Sequence, residues 1–351
     1  VDMTLSTSAR PLVGPPRATR RATIRRSELL KGLAAVRYVP DGRPAPCRLP
    51  TESQPSGGEM GYGAGSARGS LRRRPRRMKT RHRNVMRHVR SPRGLEMLNL
   101  NDRVAVSETI GRLNPVQQHD VNEAATRVIY TKIVTPGDVV FDCGANCGLH
   151  TRNLVSLVGP AGRVHAFEPN PELFATILAF GPTVRLWPFA VGDALAIRTL
   201  FTPEGLDGWA SLTDISPLLE DRRIAQRTTI QVPIDDLTEL RDAEVRFAKI
   251  DVERNELPAL RGMLGLLARC RPVIILESIN AEIIGLLAGL GYGVWDLTGT
   301  RVENNEAILP NAAALPEDMP PERVAELLLS TDELRELLEE ALRPPEPEAP
   351  A

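Results

Sequence analysis

The chain has 351 residues, 42% of them hydrophobic and 25% charged, with a formal net charge of zero. That balance excludes a collagen, a disulfide scaffold and a wholly disordered chain. No apolar run approaches the ~18–20 residues of a membrane span. The zero net charge hides an asymmetry: residues 1–100 hold 22 Lys+Arg against 6 Asp+Glu, and the remainder 22 against 38.

Residues 1–94 are rich in Arg, Pro, Gly and Ser, and their apolar residues keep no steady period. A glycine-rich stretch from Gly57 to Gly69 has linker composition, and Leu71 to Lys79 is a basic run. Such a segment buries too little apolar area to offset its chain entropy, so it is expected to be disordered. Three explanations compete for this head. It is a nucleic-acid or anionic-surface arm, an organelle transit peptide, or a mis-assigned start, with Met78, Met86 or Met97 nearer the true beginning. The last is favoured because the head has no folding logic of its own. No apolar core of a secretory signal is present in it. The four cysteines (Cys47, Cys143, Cys147 and Cys270) form no CxxC pair and no zinc spacing, which points to free thiols in a reducing, cytoplasmic setting.

From about residue 95 to 315 the texture is that of a folded domain. Asp120 is a candidate N-cap for a helix with Val121, Ala125, Val128, Ile129 and Ile133 at helical spacing. A buried strand over residues 139–142, a glycine loop over 144–148, a helix over 149–158 and a strand over 163–168 make a βαβ unit. The alternation continues. A helix is expected over 171–180, strands over 184–190, 197–201, 228–232 and 246–251, and a helix over 257–267. A strand over 273–277, a helix over 281–290 and a strand over 292–297 follow. This pattern predicts an α/β fold with a doubly wound, mostly parallel sheet. Residues 316–351 are acidic, with one amphipathic helix expected over 321–342 and a Pro-rich tail. Docking of that helix on its own domain is preferred over partner binding.

The chemistry concentrates in three places. Asp142-Cys143-Gly144-Ala145-Asn146-Cys147-Gly148 follows a strand and opens a helix. Its GxxxG spacing is not the GxGxxG of pyrophosphate binding, and an acid before the loop suits a ligand carrying an ammonium and a sulfonium. Glu168 ends the next strand, where a carboxylate accepts both hydroxyls of a ribose, a geometry shared by NAD and S-adenosylmethionine sites. Lys249-Ile250-Asp251-Val252-Glu253-Arg254-Asn255-Glu256 lies at the carboxyl end of a strand, the edge where open α/β sheets bind ligands. A solvated helix start is the plainer reading of those acids.

In chain order, Asp142 to Gly148, Phe167-Glu168-Pro169-Asn170, Ala190-Val191-Gly192-Asp193, Asp235-Asp236-Leu237, Lys249-Ile250-Asp251-Val252-Glu253 and Arg271-Pro272-Val273-Ile274-Ile275-Leu276-Glu277 form a set that resembles the FkbM-type methyltransferases. The resemblance spans roughly 120–310. It implies a class I, Rossmann-like sheet of seven strands whose last strand is antiparallel, around Ala307-Ile308-Leu309. It implies S-adenosylmethionine as cofactor and methyl transfer to a hydroxyl of a sugar, glycan or secondary metabolite. By that resemblance Asp142, Gly144, Asn146 and Gly148 wrap the methionine end of the cofactor and Glu168 holds the ribose. Ala190 and Val191, with Asp193 beside them, border the adenine. Trp209 sits where the family places an acceptor loop, or else anchors that loop. The sequence departs from the family in having Arg254 where a glycine is usual.

A base is needed only to take the hydroxyl proton. Asp251 and Glu253 are the candidates, with His150 a weaker one. A divalent ion on Asp251, Glu277 and Asn280 is a minor alternative, and no metal is expected. The expected partner is a small-molecule or glycan acceptor. Nucleic acid is disfavoured because the body is acidic, although an RNA enzyme using the basic head remains the second reading. A non-catalytic scaffold with this fold is the third, and an NAD dehydrogenase is disfavoured by the loop spacing. The acceptor and the oligomeric state are not encoded in any motif.

Overall fold

A computed structural model describes residues 100–343 apart from 206–208, 220–221 and 304–306. The expectations for the basic head and the terminal tail lie outside the described residues.

Helices α1 (Leu100–Ile110) and α2 (Pro115–Thr131) lead into strand β1 (Val139–Cys143). Then come α3 (Leu149–Val158), β2 (Arg163–Phe167), α4 (Phe174–Leu178), β3 (Val184–Trp187) and β4 (Ala190–Val191). A long hairpin of β5 (Ala196–Pro203) and β6 (Ile224–Val232) precedes β7 (Val245–Ile250), α5 (Glu256–Arg261), α6 (Leu264–Cys270) and β8 (Val273–Leu276). The chain continues through α7 (Ala281–Gly289), β9 (Tyr292–Asp296), β10 (Ala312–Pro316), α8 (Pro321–Leu327) and α9 (Thr331–Ala341).

Seven strands form one sheet in the order β3-β2-β1-β7-β8-β10-β9. β1 runs parallel to β2 and β7, and β7 parallel to β8. β10 alone is antiparallel to its neighbours, β8 and β9. β4, β6 and β5 make a second, small sheet. One face of the large sheet presents Val140, Val164, Phe247, Ile275 and Ala313 to a core shared with α2, α3, α8 and α9. Alternation sends the next residues to the opposite face. There Phe141, His165, Phe167, Trp187 and Phe189 form a run of ring contacts at 5.4–6.1 Å.

Five local expectations are corrected. The last strand is at Ala312–Pro316, not around Ala307-Ile308-Leu309. Alanines carry little strand propensity, and this strand is made by pairing on both sides. Asn311 starts it from α2: its N–H donates to Asn122 Oδ1 at 3.1 Å and its Nδ2 to Thr126 Oγ1 at 2.8 Å. Helix α2 is capped by Asn114 rather than Asp120. Asn114 Oδ1 accepts from Gln117 N while Gln117 Oε1 accepts from Asn114 N, a capping box with Pro115 at the first helical position. The helix expected over 257–267 breaks into α5 and α6 at Gly262, where a Cβ would sit 1.9 Å from the Gly192 carbonyl oxygen. The single strand expected over 184–190 divides into β3 and β4, which belong to different sheets. The C-terminal helix is two helices. Ser330 and Glu333 form a capping box that restarts the chain as α9, and Leu334 and Leu338 are buried in the main core.

Candidate active site

The carboxyl ends of β1, β2 and β7 converge, because these strands are parallel neighbours. Asp142 is fully buried at the end of β1. Its Oδ2 accepts from Thr151 Oγ1 at 2.5 Å, and its Oδ1 has no protein partner. Gly144 (φ +78°) brings the loop against the turn after β7, where a Cβ would lie 1.7 Å from the Asp251 carbonyl oxygen. Only a residue without a side chain fits there. Asn146 is also left-handed at φ +50°, and its Oδ1 accepts from Cys147 N at 2.7 Å. Gly148 (φ +80°) is the N-cap residue of α3.

Glu168 ties the second motif to the first. Its Oε2 accepts from Asn146 N at 2.8 Å and its Oε1 from Asn170 N at 2.7 Å. Burial, with Asp142 and Asp251 nearby, pushes its pKa up to about 7 against those two N–H groups. Ala190 and Val191 are buried in β4, and the Val191 carbonyl accepts from Asn255 Nδ2 at 2.7 Å. The third motif is thereby fastened to the β4 segment.

At the end of β7, Lys249 is buried and bonds Asp251 Oδ2 at 2.6 Å. Burial opposes the Lys249 charge, but Asp251, Asp142 and Glu123 outweigh it and hold its pKa above the usual range. Burial likewise opposes ionisation of Asp251, and Lys249 overrides it, so Asp251 is held low. Asp251, Glu253 and Glu277 each bring an oxygen within 4.8 Å of the others. Crowding of this kind splits the proton affinities. Burial and then Asp251 push Glu277 up to about 10, and burial, Asp251 and Glu256 push Glu253 up to about 7. Asn280 is not part of the cluster; it caps α7 by accepting from Ile283 N at 2.9 Å.

His150 is buried against α2, with Nε2 2.6 Å from Glu123 Oε2 and Nδ1 3.4 Å from the Tyr130 hydroxyl. Both ring nitrogens are engaged, which makes it a packed residue rather than a free base. Ser211 Oγ donates to the Glu253 carbonyl at 2.7 Å and so clamps the loop carrying Trp209 onto the acid turn. Trp209 is half-exposed. Sequence reasoning assigned no role to Lys249, Ser211 or Asn255. A lysine inside the apolar strand Phe247-Ala248-Lys249-Ile250 was the available signal, since a buried cation requires a buried partner.

The strand order with its one antiparallel strand, the glycine loop after β1 and the carboxylate ending β2 define a class I methyltransferase fold. The family model of the methyltransferase FkbM domain matches residues 142–294. A 31-O-demethyl-FK506 methyltransferase from Streptomyces tacrolimicus is 28% identical over 235 residues, covering 54% of this chain and 90% of its own length. Among solved structures, a methyltransferase FkbM from Methylobacillus flagellatus aligns at TM-score 0.34 and 15% identity, over 60% of this chain and 58% of its own. Aeropyrum pernix fibrillarin with natively bound S-adenosyl-L-methionine aligns at TM-score 0.27 and 12% identity, over 51% of this chain and 66% of its own. Over residues 142–294 the chain is thus similar to FkbM-type methyltransferase domains. No helix among the described residues is long and apolar enough to cross a membrane.

Proposed function

We propose that the protein transfers the methyl group of S-adenosylmethionine to a hydroxyl of a sugar, glycan or secondary-metabolite acceptor, in the cytoplasm. The observation that carries this reading is the meeting of three motifs at one sheet edge: Glu168 bonded to the glycine loop, and that loop packed on the Asp251 turn. The residues present fit the cofactor. Asp142 Oδ1 is a buried acceptor without a protein partner, suited to the ammonium of the methionine end. Glu168 offers a carboxylate for the ribose hydroxyls, and Ala190 and Val191 supply an apolar border for the adenine. When bound, S-adenosylmethionine supplies a methyl group on a sulfonium that is already a good leaving group.

The chain then has little bond-making to promote beyond alignment and removal of one proton. Glu253 is the proton acceptor in this reading, because a base with a pKa near 7 combines availability with strength. Asp251, paired with Lys249, is a weaker base; its fixed negative charge raises the proton affinity of Glu253 and orients the acceptor hydroxyl.

Calorimetric titration of the full chain with S-adenosylmethionine, and separately with NAD, tests the cofactor. Micromolar affinity for the first and no heat with the second is expected. The variants Glu253→Gln and Asp251→Asn should then lose turnover while retaining cofactor binding. A folded sample that binds no S-adenosylmethionine refutes the enzyme reading.

A further inference from the structure

The turn that carries the proposed base holds two consecutive left-handed residues, Glu253 at φ +50° and Arg254 at φ +73°. Neither is a glycine, and each such residue costs of order 1–2 kcal/mol. The turn is held in this shape from three sides. Ser211 binds the Glu253 carbonyl, Asn255 binds the Val191 carbonyl, and the Gly144 loop abuts the Asp251 carbonyl. Those clamps use backbone atoms and the neighbours of Arg254, never its side chain.

The Arg254 side chain is exposed, and it forms no hydrogen bond or ion pair with any described residue. It adds strain and returns no hydrogen bond or ion pair. Its charge is felt by the neighbouring Glu253 carboxyl, but no acid among the described residues is bonded to it. Lys249 and Asp251 pair with each other at 2.6 Å, so neither is bonded to Arg254. The loop clamped on this turn presents Trp209, one of the few large apolar side chains left exposed among the described residues. A guanidinium is a planar multi-donor suited to oxyanions, and an indole face is a stacking platform for a ring.

We infer that Arg254 is a specificity-determining residue that selects an acceptor whose ring carries a carboxylate or another oxyanion, with Trp209 beneath the ring. This rests on the methyltransferase reading above and names the chemistry of its acceptor.

The test uses the full chain saturated with S-adenosylhomocysteine, whose binding heat is recorded first. Failure of that step strikes the methyltransferase reading and is separate from the anion question. The arginine side-chain NMR signal of Arg254, identified by its loss in Arg254→Lys, is followed while D-glucuronate, D-glucose or sodium sulfate is added at constant ionic strength. D-glucuronate should give a saturable shift and quench Trp209 fluorescence, and D-glucose should give neither. Arg254→Ala should weaken D-glucuronate binding by roughly 10- to 100-fold, the usual effect of losing a charged hydrogen bond. Arg254→Gly should weaken it equally while remaining at least as resistant to heat as the parent. A shift with sulfate but not with D-glucuronate shows a free-anion site and overturns the ring acceptor. No saturable shift with either anion, or D-glucuronate binding unchanged in Arg254→Ala, overturns the proposal altogether.

Discussion

Cofactor affinity should fall steeply as the medium is acidified, and Glu168 should be the cause. Its carboxyl is buried at the end of β2, and its pKa stands at about 7. In the proposed site the ionised form is the one suited to accept two ribose hydroxyls. Below pH 7 the free protein must first lose a proton before it binds, so the dissociation constant rises about tenfold per pH unit. Between pH 7.5 and 5.5 this amounts to roughly 25-fold, or about 2 kcal/mol. The same group bears oppositely on stability. Its folded pKa is raised above the carboxyl reference value of 4.5, so its contribution is fully present below pH 4.5 and is lost as pH rises through 7. Titration calorimetry with S-adenosylmethionine across this range measures the affinity. Glu168→Gln keeps the shape but removes the charge. It should bind about 10–100-fold more weakly at pH 7.5 and show a flat profile. A wild-type constant that moves less than twofold between pH 7.5 and 5.5 would falsify the assignment of Glu168 as the ionising ribose ligand.

Gly144→Ala should abolish cofactor binding and destabilise the fold by about 2 kcal/mol or more, because its Cβ meets the Asp251 carbonyl at 1.7 Å; thermal unfolding with and without cofactor measures both effects. Arg103→Ala strands the fully buried Asp296, which it bonds at 2.9 Å, and should cost about 3–5 kcal/mol in urea unfolding. A loss below 1 kcal/mol would show that Thr298 and Thr300 already satisfy that carboxylate. His165 is held to a pKa of about 4 by burial and by Arg163 and Arg185. Its contribution is therefore present above pH 6.5 and is lost as pH falls towards 4, by about 3 kcal/mol in all. His165→Asn should lose less stability than the parent between pH 7.5 and 4.5, and equal losses would remove His165 as the source.

Much of the domain was legible along the chain. Strand β1, the glycine loop and α3 were placed within a residue, because strand, glycine and helix signals there are all local. The boundaries that failed are those set by partners far away in sequence. β10 is three alanines and a leucine before its final proline, and becomes a strand by lying between β8 and β9. The break falls at Gly262, where the Gly192 backbone, seventy residues earlier, packs too closely for any Cβ. The Asn114 cap was overlooked for the opposite reason: it is a local signal, carried by asparagine in place of the commoner serine or threonine.

The same division runs through the site. Sequence alone determined the βαβ unit, the glycine loop that excludes a dinucleotide fingerprint, and the family resemblance, since each depends on residue type and spacing within a short window. It also marked Arg254 as an oddity. Tertiary structure decided the charge states. Two acids only two residues apart, Asp251 and Glu253, differ because Asp251 meets Lys249 from the end of β7 whereas Glu253, half-buried, is crowded by Asp251 and Glu256. Glu277 joins them from the end of β8, and the turn is fixed by Ser211 from the β5–β6 hairpin and by the Val191 carbonyl of β4, which accepts from Asn255 within the turn. Proton affinity depends on burial and on charges a few ångströms away, and neither quantity exists until the chain is folded.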